Sequence, residues 1–439
     1  MNHSVSPAPA TGLWKIIGAA SAGTLIEWYD FFLFGSLATI ISRHFFPPGH
    51  PTAAFLSTLA IFATGFIVRP FGALVFGRMG DLVGRKYTFL LTLLLMGGST
   101  FAIGLLPGYA TIGVLAPVLL VLLRLLQGLS VGGEFGGAAT YVAEYSPDAH
   151  RGFYTGWLQT TATLGLLMSL GLILATERRL GAIEFAAWGW RVPFLLSIVL
   201  VVLSYYIRAR MAESPLFAQA KAAGKLSASP LRESFLNKTN LRLGLLALFG
   251  AVAGHGVVWY TGQFYALFFL LKVARVEFAT ANQILAWSLV LTTPFYVIFG
   301  ALSDRVGRKP VILAGCALAA IFFVPVYHDL LHFSAPLNFP MLVALVSFQM
   351  LFGTMTYGPL AAFLVELFPT RIRYTAMSLP YHLGIGVLGG LTPLIASALV
   401  AQTGNNYMGL AYPIIIAIVT VIIGAAFIRE KRGLRLDAL

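Results

Sequence analysis

Twelve apolar runs, each near the length needed to cross a bilayer, punctuate this chain. They fall near residues 14–42, 53–77, 87–106, 113–137, 153–175, 189–207, 243–271, 281–302, 310–328, 338–364, 374–401 and 408–428. At 1.5 Å per residue, about 20 apolar residues cover the hydrocarbon core. Lipid offers no partner to a backbone amide, so such runs predict α-helices, whose hydrogen bonds stay inside the segment. Composition agrees: 58% of the 439 residues are hydrophobic and only 10% charged, against about 25% charged in a soluble domain. The expected fold is an all-α membrane protein with twelve transmembrane helices.

Charge placement orients the helices. A net charge of +13 invites a nucleic-acid reading, but the basic residues cluster at alternate helix ends, and no long basic arm with interleaved aromatics exists. Of the 29 Lys and Arg, 21 fall on the side of both termini and six on the other, with Arg69 and Arg124 inside helices. The positive-inside rule therefore places both termini in the cytoplasm. The first dozen residues carry no basic n-region, so no cleaved signal peptide is expected and the first helix inserts as an anchor. The single cysteine, Cys316, excludes an intramolecular disulfide and reads as a small buried hydrophobe.

The chain repeats itself. Gly77-Arg-Met-Gly-Asp-Leu-Val-Gly-Arg-Lys86 returns as Gly300-Ala-Leu-Ser-Asp-Arg-Val-Gly-Arg-Lys309, and Glu144-Tyr-Ser-Pro147 with Arg151 returns as Glu366-Leu-Phe-Pro369 with Arg373. Trp28-Tyr29 is matched by Trp259-Tyr260. Parallel order of equivalent spans predicts two facing six-helix bundles, residues 1–207 and 243–439. Between them lies a polar cytoplasmic linker, 208–242, whose AQAKAAGK stretch reads equally as a loop or as a short surface helix.

The repeated Gly-rich loop closely resembles the signature loop between helices 2 and 3 of the major facilitator superfamily. The resemblance implies a latch that closes the cytoplasmic side, formed by Asp81, Arg85, Asp304 and Arg308. Glu144 with Arg151, and Glu366 with Arg373, resemble the matching charges. A basic loop that merely obeys topology is the plainer alternative. Two copies at equivalent places argue against it.

Ionisable groups inside a membrane helix cost roughly 2.5–3.5 kcal/mol each on insertion scales, so they need partners or a water-filled cavity. Five stand out in the first half: Glu27 and Asp30 three residues apart in helix 1, Arg69 in helix 2, and Arg124 and Glu134 in helix 4. Three acids against two bases leave one carboxyl expected to hold a proton at rest, the arrangement that proton coupling needs. Static ion pairs between helices 1, 2 and 4 are the competing reading. Asp30 or Glu27 is the preferred proton carrier and Arg124 the preferred substrate or proton-gating base. The second half offers neutral polar groups instead: His255, Tyr260 and Gln263 on helix 7, Gln349 and Tyr357 on helix 10, Tyr381 and His382 on helix 11. An interior hydrogen-bonded histidine is the plainer account of His255. No HExxH, nucleophile elbow, phosphate loop or zinc spacing is present, so neither an enzyme nor a cofactor or metal site is expected.

A narrower resemblance follows. Leu25-Ile-Glu-Trp-Tyr-Asp-Phe-Phe32, Phe66-Ile-Val-Arg-Pro-Phe-Gly-Ala73, Arg124-Leu-Leu-Gln-Gly-Leu-Ser-Val-Gly-Gly-Glu134 and Trp188-Gly-Trp-Arg-Val-Pro-Phe194 resemble the metabolite:proton symporter family of bacterial inner membranes. That family includes α-ketoglutarate, citrate, shikimate and proline/betaine permeases. The resemblance implicates Glu27, Asp30, Arg69, Arg124 and Glu134, the five that burial cost selects. It implies a monomeric, lipid-embedded symporter of protons and a small molecule working by alternating access. An intramembrane arginine suits a carboxylate, so an organic acid is expected, with a betaine- or amino-acid-like zwitterion as the alternative. An exchanger or exporter using the same acids, or a transporter-like sensor, are the remaining readings.

Overall fold

The computed structural model describes residues 10–82, 85–132, 135–209, 237–368 and 373–430. The stretch expected as a linker lies largely outside the described residues, as do Glu134 and the side chains of Asp81 and Arg85. In chain order the membrane helices are α1 (Ala10–Ser36), α2 (Pro51–Phe76), α3 (Arg85–Leu105), α4 (Leu115–Val131), α5 (Arg151–Leu180) and α6 (Arg191–Ala209). They continue as α7 (Lys238–Lys272), α8 (Phe278–Val306), α9 (Arg308–His332), α10 (Phe339–Leu367), α11 (Ala376–Thr403) and α12 (Met408–Phe427). Eight of these are long and apolar enough to span unaided. Two more spans are bent: Gly23–Ser36 turns by 61° into Ala38–Phe45, and Ala182–Gly189 by 60° into Arg191–Leu203. The shorter apolar helices of α3 and α4 complete the twelve.

Local chemistry sets where helices start and stop. Asn237 accepts from the Thr239 and Asn240 amides at the head of α7, and Asn338 from the Met341 amide at the head of α10; both satisfy donors that a first turn leaves free. Gly307, at φ +106°, turns α8 directly into α9, a conformation that a side chain would strain. The outward faces keep large apolar residues exposed, among them Phe71, Leu122, Val199, Val202, Ile321 and Ile422. That surface suits lipid tails, where it costs nothing to leave it uncovered.

Two seams join the first six helices to the last six: α2 lies against α11, and α5 against α8. Within the first six, α2 and α4 approach backbone to backbone. A Cβ at Gly128 would overlap the Gly65 carbonyl, and one at Gly132 the Arg69 carbonyl. This close approach holds the Arg69 and Arg124 side chains near one another beside α1. α7 and α11 depart from α geometry with π-helical turns at Leu248–Val252, Thr261–Tyr265 and His382–Gly389. Such turns shift the carbonyl register, re-aim side chains and recur at functional sites.

Candidate functional site

The two intramembrane arginines have different surroundings. Both are fully buried, and the Phe31 ring lies close to both guanidinium groups, at 4.2 Å from Arg69 and 4.3 Å from Arg124. Arg124 is held by protein groups. Its Nη1 donates to Gln127 Oε1 (2.7 Å) and the Phe31 carbonyl (3.3 Å), and its Nη2 to the Phe62 carbonyl (3.3 Å). Gln127 in turn donates to Thr100 Oγ1 at 2.7 Å, tying α4 to α3. The Arg69 guanidinium also lies near two more rings, Phe66 at 4.5 Å and Trp28 at 5.2 Å. Its Nε and Nη2 are buried without a hydrogen-bond partner. A buried donor left unmet costs about 1–3 kcal/mol, more when charged, so Arg69, with two such donors against the single Nε of Arg124, has the greater capacity to spare.

Arg69 also lines a cavity. Thr24, Glu27, Trp28, Arg69 and Val131 from the first half and Tyr381 and His382 from the second line it. His382, which opens the α11 π segment, has no side-chain hydrogen-bond partner, and the Gly132 backbone lies against its ring. Asp30, one turn beyond Glu27, is 1% exposed, and its Oδ1 also lacks a partner.

The remaining sequence candidates form a wall in the second half. His255 Nδ1 bonds to Thr356 Oγ1 at 2.8 Å, and its ring stacks on Tyr357 at 4.4 Å. The Tyr357 and Tyr381 hydroxyls meet at 3.0 Å. The Tyr260 hydroxyl, Gln263 Oε1 and both amide atoms of Gln349 are buried without partners. One hub escaped the sequence reading. Tyr296 on α8 accepts from Trp259 Nε1 (2.9 Å) on α7 and from Thr163 Oγ1 (2.8 Å) on α5, so one hydroxyl joins the halves. Gln159, one turn before Thr163, donates to the Tyr357 carbonyl and so joins α5 to α10 as well. The signal was a polar pair four residues apart within the apolar run of α5.

At the face bearing the termini, charges close the gap, and their pairing is exchanged between halves. Sequence order matched Glu144 with Arg151 and Glu366 with Arg373. In the structure Arg151 Nη1 meets Glu366 Oε1 at 2.7 Å, and Arg373 Nη1 meets Glu144 Oε1 at 3.3 Å. Arg308 also reaches Glu366 (3.1 Å) and Asp304 (2.6 Å), and Arg151 pairs with Asp148 as well. Asp304 then crosses to the first half, its oxygens accepting from the Gly152 and Phe153 amides at 2.8 Å each. A carboxylate there caps the free donors and positive end of α5. It fits because Gly152 and Gly300 meet without side chains.

The opposite end closes with rings. Phe264 lies 5.3 Å from both Phe32 and Phe62, Phe268 lies 5.4 Å from Phe55, and Lys272 Nζ sits over Phe55 at 4.6 Å. The cavity thus lies between ion pairs at one end and packed rings at the other.

Twelve helices in two sets around a central cavity define a multi-pass membrane transporter, and comparison with known proteins agrees. Residues 15–242 match the "Sugar (and other) transporter" family and residues 264–437 the "Major Facilitator Superfamily". The chain is 36% identical to the inner membrane metabolite transport protein YhjE of Escherichia coli, covering 93% of each chain. It is 33% identical to the Escherichia coli proline/betaine transporter, covering 94% of this chain and 83% of that one. It is also 33% identical to the alpha-ketoglutarate permease of the same organism, covering 97% and 95%. The solved proton:xylose symporter XylE superposes with a TM-score of 0.72 at 19% identity, over 98% of each chain, which establishes a common fold. This chain belongs to the major facilitator superfamily, and the permeases it matches are those the sequence motifs resembled.

Proposed function

We propose that the chain is a proton-coupled symporter that imports a small organic carboxylate by alternating access. The observation that carries this reading is Arg69: a buried guanidinium on a cavity between the halves with two unmet donors. A carboxylate accepts such donors in parallel, with charge assistance. Glu27 on the same cavity wall and Asp30 one turn along α1 supply the proton acceptors. Protonation of either would lower the negative charge of the first half as the anion arrives. The face with the termini is cytoplasmic in this reading, following the distribution of Lys and Arg. Its ionic latch then opens to release substrate inward. Residues 1–207 and 243–439 act as the two rocking bodies, with 208–242 as their tether.

The test is uptake into proteoliposomes. Labelled carboxylate should accumulate under an inside-alkaline gradient, stop when a protonophore is added, and fail in Arg69→Gln. Accumulation indifferent to the pH gradient, with counterflow intact, would replace symport by exchange. A second reading, a zwitterionic osmolyte, draws on the proline/betaine relatives. Uptake of betaines with no response to carboxylates would establish it.

A further inference from the structure

The central cavity holds a second unmet group besides Arg69, and the pair narrows the substrate. We infer, resting on the carboxylate reading above, that the substrate is a hydroxy-monocarboxylate: its carboxylate sits on Arg69, its hydroxyl binds His382, and it carries no second charge. His382 is 1% exposed and lines the same cavity as Arg69; the Gly132 backbone lies against its ring, and neither nitrogen has a side-chain partner, which leaves the imidazole with hydrogen-bonding capacity toward the cavity. Helix α11 brings the two together, since a Cβ at Gly386, one turn beyond His382, would lie 3.7 Å from Arg69 Cδ. A neutral imidazole presents one donor and one acceptor. A hydroxyl, itself donor and acceptor, satisfies it; a methyl group leaves it as it is.

The surroundings favour a single negative charge, although Glu27 and Tyr381 also line the cavity. A dicarboxylate needs a second cation. Among the described residues Arg124 is committed to Gln127 and two carbonyls and does not line the cavity, and the second half contributes Tyr381 and His382 there. A quaternary ammonium needs free aromatic faces. Trp28, the indole on the cavity, is already engaged by the Arg69 guanidinium at 5.2 Å and by the stacked Phe32 ring at 4.9 Å.

Six four-carbon probes differing at one position test the assignment by calorimetric binding to the purified full chain. They are butyrate, its 2-, 3- and 4-hydroxy derivatives, succinate and γ-butyrobetaine. One hydroxybutyrate should bind at least about tenfold tighter than butyrate, because a site built to hydrogen-bond a hydroxyl discriminates against its absence. Succinate and γ-butyrobetaine should both be weaker than butyrate. His382→Leu should bring that hydroxybutyrate to within about threefold of butyrate, and His382→Gln should keep part of the preference. Hydroxybutyrates no better than butyrate, with butyrate still dependent on Arg69, would overturn the hydroxyl subsite and leave the carboxylate reading standing. Succinate as the tightest ligand would do the same. Should His382→Leu not fold, an unchanged preference in His382→Gln overturns the assignment. Binding confined to γ-butyrobetaine, or to none of the six, would remove the carboxylate reading itself.

Discussion

The halves share an ancestral pattern of motifs, yet they stock the membrane interior differently. In the first, α1, α2 and α4 carry Glu27, Asp30, Arg69 and Arg124 at 5% exposure or less. In the second, the corresponding depth holds tyrosines, glutamines and histidines, and the π turns of α7 and α11 carry Gln263 and His382. The first half thus offers charge, held by close glycine contacts and aromatic faces. The second offers neutral hydrogen-bonding groups on helices whose register is already disturbed. In the function proposed above, a binding site made of one wall of each kind would separate tasks, the charged wall taking the proton and the anion and the neutral wall reading the rest of the substrate.

The sharpest way to break this comparison is Arg69→Gln. Losing two charge-assisted hydrogen bonds, each worth roughly 1.5–3 kcal/mol, should weaken carboxylate binding by about a hundredfold or more in a direct binding assay. Retained affinity would show that the anion sits elsewhere. Next in size is Glu366→Gln, which takes the shared partner from Arg151 and Arg308. Leaving buried charges uncompensated typically costs about 3–5 kcal/mol. The expected results are a lower melting temperature and faster labelling of a cysteine placed behind the latch.

Arg124→Gln should act on stability more than on affinity. It strips the α1 and α2 carbonyls of their donors and should lower the melting temperature while changing substrate affinity by less than about threefold. A large affinity loss with unchanged melting would return Arg124 to the substrate site. The smallest effect is expected for Tyr296→Phe. Hydrogen bonds between membrane helices average about 0.6 kcal/mol, so the transport rate should shift a few-fold with binding nearly unchanged.

Most of the architecture was legible in the sequence because burial cost and helix length are local properties. Each of the twelve runs declares itself, and Arg69 and Arg124 are conspicuous in apolar surroundings wherever their partners lie. Pairing is not local. Nothing near Arg124 in the chain announces that the Phe31 and Phe62 carbonyls satisfy it, so the sequence reading favoured the arginine that the fold has already engaged. The latch charges were found but matched within each half, whereas contact between halves exchanges Arg151 to Glu366 and Arg373 to Glu144. The Tyr296 hub was missed for the same reason: its three members come from α5, α7 and α8.

Phe31 has a mechanical consequence. Its ring lies within 4.3 Å of two guanidinium groups, so it acts as a washer between like charges that would otherwise repel in a dry interior. In the proposed function, an anion arriving on Arg69 would neutralise one side of that washer and relieve the load on the other. Occupancy of the cavity would thereby be felt at α4, which carries Arg124.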